Sequence, residues 1–381
     1  MMANKKKLFI ITTIPMSFVF FKGQLLVLRE KFDITLISSP EAGLYETASF
    51  NKVKCYGIKM SREISLFSDV LSLFRLLFYF VKNKPDILHA NTPKGSFLSL
   101  AAGWLCRVST RIYYVHGLRY QGESGFKKKL LIAMEKLSCF FATDIIAVSN
   151  GVKDHLQQDF ITTKEITVIW NGSINGIDLD YFDPAHPDLS NIESAHLIQK
   201  YDFVFGFLGR LVGDKGINEL VAAFEQLNLE YLNIKLLLVG GYESHLDPLQ
   251  QETLLSIKTN PNIVHVGFQE DVRPYLEAMD LFVFPSYREG FGISLMEAAA
   301  MNVPAISSNI TGCNEIIDDG INGFLIPVKD KEAIYLKMKY AIENRLAISK
   351  MSAVTRSMIK DKFEQHKLWN KIISFYEGIK H

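Results

Sequence analysis

Cysteine is scarce. Cys55, Cys106, Cys139 and Cys313 are scattered, with no C-x-x-C pair and no histidine at ligand spacing nearby. That excludes a zinc-finger site and a disulfide framework, and the four read as buried thiols in a reducing compartment. Net charge is also small, with 42 basic against 41 acidic side chains and a formal balance of +1, so there is no global case for nucleic-acid binding. Long apolar runs are missing too. The longest, Ile64 to Val81, is interrupted by Asp69 and Arg75. Ser65, Ser68, Ser72, Arg75, Tyr79 and Lys82 recur in it at three- and four-residue steps, one polar stripe on a helix. This reads as a helix buried on most sides or lying in a membrane interface, and not as a span. Near the start, lysines precede Leu8-Phe9-Ile10-Ile11, too short for a signal-peptide core and ending in Thr12-Thr13 instead of a cleavage site. A buried first strand fits better.

What is present is ordinary globular material. Hydrophobic residues are 48% and charged residues 22% of 381, enough for two cores and against extensive disorder. The charge is unevenly spread: residues 1–170 carry 23 basic and 13 acidic side chains, a net +10, and the remainder 19 and 28, a net −9. A basic half suits an anionic surface, and two halves of opposite sign equally suit domains that attract each other.

Short branched runs alternate with helical patterns. In the first half the strands are expected at Leu8–Ile11, Ile34–Ile37, Ile87–His89, Ile112–Val115, Ile145–Val148 and Ile166–Ile169, with helices at Ser65–Lys82, Gly95–Cys106 and Gly125–Phe141. The second half repeats the pattern with strands at Phe203–Leu208, Lys235–Val239, Ile263–Val266, Leu281–Phe284 and Pro304–Ser307. Its helices are expected at Ile217–Leu227, Val272–Met279, Ile293–Met301 and Lys331–Glu343. Asn171–Asn191 has linker composition. The class is α/β: two tandem doubly wound domains, with ligands expected at the carboxyl ends of the strands, in a cleft between them.

Two segments carry chemistry. Phe207-Leu208-Gly209-Arg210-Leu211-Val212-Gly213-Asp214-Lys215-Gly216 leaves an expected strand and enters a helix. Gly209 allows close chain approach, and Arg210 and Lys215 supply a planar fork and a point charge for a diphosphate. A loop with merely solvated charges reads as well from this segment alone. The second, Ser286-Tyr287-Arg288-Glu289-Gly290-Phe291-Gly292-Ile293, leads to Glu297 one turn inside a helix. The helix start can hold an anion, while Glu289 and Glu297 would repel phosphate and so accept hydrogen bonds from sugar hydroxyls. The ordinary alternative makes Glu297 a surface residue and Glu289 part of a turn.

These residues resemble the retaining nucleotide-sugar glycosyltransferases of family 4, which have the two-domain GT-B fold. Glu289 and Glu297 match the family's E-x7-E signature, Gly209-Arg210 with Lys215-Gly216 its G-R-x-x-x-x-K-G segment, and Asp319-Gly320-Ile321-Asn322-Gly323-Phe324-Leu325 its D-G-x-N-G-x-L turn. The resemblance implies that Arg210 and Lys215 neutralise the donor diphosphate, and that Glu289 binds the transferred sugar beside Gly290, Phe291, Gly292 and Ile293. It places the ribose on Glu297 and the base near Gly267-Phe268 and Ser286. Tyr114-Val115-His116-Gly117 ends an expected strand. A lone histidine there is ordinarily structural, but the resemblance puts His116 near the reacting centre. The Gly-Gly loop that many relatives have after the first strand is replaced by a segment leading to Lys22-Gly23-Gln24, as in a subset making capsule and O-antigen sugars.

The resemblance divides the chain into an acceptor-binding domain, 1–177, and a nucleotide-sugar domain, 178–361, with an amphipathic last helix, 362–381, crossing back to the first. That helix is read from Phe363–Lys380, and packing on the second domain is the alternative. The acceptor is expected to be polyprenyl-diphosphate-linked or a saccharide, and the donor a UDP-sugar, with GDP as the alternative. Gly125-Phe126-Lys127-Lys128-Lys129-Leu130 suits an anionic membrane surface or a solvated helix start. Lys22, Gly23, Lys94, Lys127, Lys128 and Lys129 are the expected acceptor and membrane contacts, on the cytoplasmic face of the membrane. No cofactor and no metal is expected, since Arg210 and Lys215 do the neutralising and no D-x-D pair stands at a strand end. The rivals are an epimerase or phosphorylase on the same architecture, a non-catalytic sugar-nucleotide-binding module, and a nicotinamide oxidoreductase. The last is opposed by the lack of a G-x-G-x-x-G after a strand, Gly240-Gly241 having only part of it.

Overall fold

The computed structural model describes residues 5–61, 65–186, 203–243 and 247–379. The chain divides into two compact units, Met1–Asn175 with His366–His381, and Gly176–Gln365. Residues 187–191 of the expected linker, Ile64 of the long apolar run and Lys380 of the expected last helix lie outside the described residues.

The first unit holds β1 (Lys7–Ile11), β2 (Asp33–Ser38), β3 (Lys54–Gly57), β4 (Ile87–Ala90), β5 (Thr110–Val115), β6 (Asp144–Ala147) and β7 (Ile166–Thr167). They form a parallel sheet in the order β3-β2-β1-β4-β5-β6-β7. Leu8, Ile10, Ile11, Leu36, Ile37, Leu88 and Ile112 are all fully buried, because helices cover both faces and the strands are apolar on both sides. The helices are α1 (Gln24–Lys31), α2 (Ala42–Asn51), α3 (Leu66–Asn83), α4 (Pro93–Leu105), α5 (Gly125–Phe141) and α6 (Asn150–Gln158). Helix α4 starts on Pro93, whose missing N–H costs nothing there, and the Ser149 hydroxyl caps α6 by accepting from the Val152 N–H at 3.1 Å.

Helix α3 is not buried on most sides, the first of the two expectations for it. Only a narrow stripe, with Ser72, Leu76 and Phe80, is buried, while Phe67 is 86% and Phe78 71% exposed, and Val70, Phe74 and Val81 are exposed beside them. The helix lies on the outside of the sheet, and among the described residues no second layer covers its apolar face. Among the described residues no helix is long and apolar enough to cross a membrane.

The second unit repeats the architecture with β8 (Phe203–Leu208), β9 (Ile234–Val239), β10 (Ile263–Gly267), β11 (Leu281–Phe284), β12 (Ala305–Ser308) and β13 (Gly323–Ile326) in the parallel order β10-β9-β8-β11-β12-β13. Its helices are α7 (Ile217–Asn228), α8 (Gln251–Thr259), α9 (Arg273–Glu277), α10 (Ile293–Ala300), α11 (Lys331–Glu343) and α12 (Arg345–Phe363). Phe207, Phe284 and Phe282 stack through its core at 5.9 and 5.8 Å between centroids. The last helix, α13 (Gln365–Gly378), begins after Glu364, so Phe363 ends α12 instead of opening it. From His366 onward it belongs to the first unit, where Trp369 Nε1 donates to Asn175 Oδ1 at 2.7 Å and Tyr376 meets Phe32 at 5.6 Å.

In each sheet the strand order reverses once, between β1 and β4 and between β8 and β11. Loops leaving the carboxyl ends of those neighbours run apart and leave a crevice, the usual place for a ligand in such sheets.

Candidate functional site

The two chemistry-bearing segments are the two loops at the switch point of the second unit. One follows β8 and the other β11, and the pairing of those strands brings them together although 74 residues separate Lys215 from Glu289. The Tyr287 N–H donates to the Asp214 carbonyl at 2.8 Å, and the buried Ser286 hydroxyl donates to the carbonyls of Asp214 and Arg288 at 3.3 Å each. Two glycines let the loop after β8 pack closely, one against the loop after β9 and one against the loop after β11. Gly240, at φ +141°, would drive a Cβ into the Gly209 carbonyl oxygen, and Gly216, at φ +71°, into that of Pro285.

At the centre Lys215 Nζ is ion-paired with Glu289 Oε1. Both side chains are largely withdrawn from water, at 15% and 14% exposure, and Nζ stands 5.3 Å from the Phe284 ring centroid. Cys313 is buried against this pair; burial, then the Glu289 charge, push its thiol up, while Lys215 pulls it down. Arg210 is at the open edge, with Nη1 2.5 Å from Glu243 Oε2. Asp214 accepts from Arg288 at 2.8 Å and gives its N–H to Asp247 at 2.5 Å.

The Gly290-Phe291-Gly292 turn is fixed from behind. Gly292 donates to the Gly312 carbonyl at 3.0 Å, and Phe291 is buried edge-on against Phe363 at 5.3 Å. Ile293 opens α10, and Glu297 follows one turn later, half-buried. Beside Glu297 is a cluster around Tyr181: Arg273 lies 3.8 Å over its ring and pairs with Asp271 at 2.6 Å. Burial, then Asp271, raise the Tyr181 hydroxyl, with Glu297 adding to the rise. Phe268 is 77% exposed next to Gly267.

Lys215, Glu289 and Ser286 are thus brought together, with Arg210 on the same loop. The Ser286 hydroxyl is buried and engaged with backbone carbonyls, so it ties the two loops together. The Asp319–Leu325 turn is architectural. Leu325 N–H donates to Asp319 Oδ1 at 2.9 Å, and Asn322 holds Ile316 and Asp318, launching β13.

In the first unit His116 follows β5. Its Nε2 lies 3.0 Å from Asn91 Oδ1, and its ring packs on Phe20 and Tyr114 at 4.7 and 4.5 Å. Burial holds its pKa at about 3, so the ring is neutral at ordinary pH. Against a carbonyl acceptor Nε2 carries the proton, which leaves Nδ1, buried and without a hydrogen-bond partner, as an acceptor.

Lys22 is exposed, its carbonyl accepting from Asn175 at 2.8 Å, and Gly23, at φ +77°, lies against Trp369. Lys94 is a correction. It is buried in the first turn of α4, paired with Asp69 at 2.7 Å, and contacts no surface. Lys127 pairs with Glu123 at 2.6 Å while staying exposed, and Lys128 and Lys129 are exposed beside it. Cys139 and Cys313 are buried, whereas Cys55 and Cys106 are only half-buried.

Glu243, Asp247, Asn91 and the Tyr181–Asp271–Arg273 cluster were not singled out from the sequence. Nothing local marks them. Asn91 meets His116 only because β4 and β5 are paired, with Ala90 opposite Tyr113.

Two Rossmann-like units, one bearing a lysine, a glutamate and an arginine at its switch point, define a GT-B glycosyltransferase. The family profile "Glycosyl transferases group 1" matches residues 190–360 and "Glycosyltransferase Family 4" residues 27–180. The chain is 34% identical to the capsular polysaccharide biosynthesis glycosyltransferase CapM of Staphylococcus aureus, over 98% of this chain and 97% of CapM. It is 27% identical to the UDP-Gal:alpha-D-GlcNAc-diphosphoundecaprenol alpha-1,3-galactosyltransferase of Escherichia coli, over 91% and 89%. The fold matches that of Anabaena Alr3699/HepE, solved with UDP and with UDP-glucose, at a TM-score of 0.82, 17% identity and coverage of 99% and 100%. The chain belongs to the family 4, group 1 glycosyltransferases.

Proposed function

We propose that this glycosyltransferase moves a sugar from a UDP-sugar to a polyprenyl-diphosphate-linked acceptor in cell-surface polysaccharide synthesis, with retention and without a metal. The observation that carries the reading is the secluded Lys215–Glu289 pair at the switch point of the second unit. The Escherichia coli relative is named for UDP-Gal and a diphosphoundecaprenol acceptor, and Alr3699/HepE was solved with UDP-glucose. On donor binding Lys215 turns from Glu289 to the diphosphate, joined by Arg210 and the α10 N-terminus. Glu289 then accepts hydrogen bonds from the transferred sugar and Glu297 from the ribose.

The reaction is a front-face displacement. The anomeric carbon–phosphate oxygen bond breaks, the acceptor oxygen bonds to the same face, and its proton passes to the departing phosphate oxygen. Arg210 and Lys215 stabilise the charge that develops there. Neutral His116, its Nε2–H held by Asn91, orders the loop after β5 beside the acceptor. Calorimetry with UDP, GDP, ADP and NAD tests the donor. UDP binding weakened by both Arg210→Ala and Glu297→Ala is expected, whereas binding of NAD alone overturns the reading. Transfer abolished by EDTA and restored by magnesium would refute metal independence.

We further infer that the enzyme works on the anionic inner face of the cell membrane. Helix α3 presents Phe67, Phe74 and Phe78 to solvent, α4 and α5 pack in series beside it, and Trp104 and Phe140 extend the apolar surface at 6.5 Å between centroids. Exposed Arg75, Lys82, Lys128 and Lys129 on these helices supply the cations. Flotation with anionic liposomes is expected for the wild type and lost in a Phe74→Asp, Phe78→Asp variant. Flotation that is insensitive to these changes and to replacing Lys127, Lys128 and Lys129 refutes the membrane reading.

A further inference from the structure

Beside the switch point of the first unit lies an open groove of about 420 Å³ with a mainly apolar lining. The 3-10 turn Pro15–Phe21, which follows β1, forms one wall, and α2 forms the other. Met16 and Phe50 line it at 75% and 76% exposure, with Val19 also exposed. A single exposed apolar side chain is unremarkable, but three lining one concavity make a ligand surface. The same turn reaches the candidate chemistry on its other side, where Phe20 packs on His116 at 4.7 Å. Lys22 and Glu46 supply charge at the rim.

We propose that this groove binds the isoprene units next to the diphosphate of the lipid-linked acceptor, a reading that rests on the acceptor class proposed above. The arrangement fits an amphiphile whose anionic head lies at the carboxyl ends of the strands and whose tail needs apolar contact within a few ångströms of that head. Lys22 marks the head end, and Met16, Val19 and Phe50 carry the tail away from it. A peptide fits less well, because the lining offers few backbone or side-chain partners for its amides.

The test is photo-crosslinking of the full chain with a farnesyl diphosphate analogue carrying a diazirine in its tail, followed by peptide mapping. Labelling is expected on residues 15–23 and 43–51, competed by farnesyl diphosphate and not by inorganic pyrophosphate. It should fall about tenfold in a Met16→Gln, Phe50→Gln variant, both positions being exposed enough for the change to leave folding intact. Labelling centred on α3, or labelling of the groove that the variant does not reduce, overturns the groove. UDP calorimetry on the same preparation separates the two readings. UDP binding without groove labelling overturns the groove alone, and groove labelling without UDP binding overturns the donor reading and leaves the groove standing.

Discussion

Replacing Glu289 by glutamine distinguishes a cation held ready for phosphate from one half of a structural ion pair. Lys215 and Glu289 are at 15% and 14% exposure, so the pair is mostly but not wholly desolvated. Removing one partner of a fully buried pair costs about 3–5 kcal/mol, and here residual solvent and the retained amide oxygen bring the expected loss to about 2 kcal/mol. At roughly 2–4 °C per kcal/mol for a domain of this size, the melting temperature should fall by about 4–8 °C.

UDP should reverse this. In the wild type Lys215 has to leave Glu289 to meet the diphosphate, whereas in the variant that contact is already lost. Saturation at a hundredfold excess over Kd stabilises either protein by about 2.7 kcal/mol, so the difference appears at a fixed, subsaturating UDP concentration. The variant should bind UDP more tightly and show the larger thermal shift. Its sugar transfer should nonetheless drop by about ten- to a hundredfold in kcat/KM, because a charged acceptor for the sugar hydroxyls is gone. Fluorimetric melting with UDP titration reads the first effect and product formation the second. An unchanged melting temperature, or weaker UDP binding than in the wild type, would refute the reasoning.

The other expectations concern the frame around the site. Glu135 is buried, accepts from the Tyr113 hydroxyl at 2.5 Å, and is pushed by burial to about pH 7. Its contribution is full below the ordinary carboxylate range and is lost as pH rises to about 7, worth about 3 kcal/mol over the window. Glu135→Gln should therefore raise the melting temperature at pH 8 and barely move it at pH 4.5, and an equal gain at both pH values would count against this. Gly240→Ala should cost about 3 kcal/mol, since its φ is +141° and its Cβ would meet the Gly209 carbonyl. Gly241→Ala next to it has open space and should be near neutral, so denaturant melts of the two should differ clearly.

The sequence exposed those parts of the fold whose residues answer to one demand. Strands buried on both faces, such as Phe203–Leu208, must be apolar throughout, and they stand where the runs of branched and aromatic residues stand. Edge strands answer to two demands, and two of the four were missed: β3 is Lys-Cys-Tyr-Gly with alternating exposure, and β13 begins on a glycine pressed against the Ala305 carbonyl. Ile166–Ile169 shrank to two strand residues because β7 is itself an edge. The two motif loops were legible because glycine, cations and acids at fixed offsets are rare together. The partners Glu243 and Asp247 were not, because β9 places them beside β8 through register and no local pattern records that.

Two oddities of the first unit explain each other only in three dimensions. Asp69 interrupts the longest apolar run, and Lys94 sits in the first turn of α4, where the helix dipole disfavours a cation. The structure pairs them at 2.7 Å, largely out of water, and Lys94 also donates to Ser61 at 3.2 Å. The acid that argued against a membrane span is therefore engaged inside the unit. It takes no part in the solvent-facing stripe of Phe67, Phe74 and Phe78. A lysine read as a surface contact and an acid read as a break are one tie between α3 and α4. That tie fixes α3 to the domain through its buried stripe and leaves the opposite, apolar face outward, which is the orientation a membrane-facing helix requires.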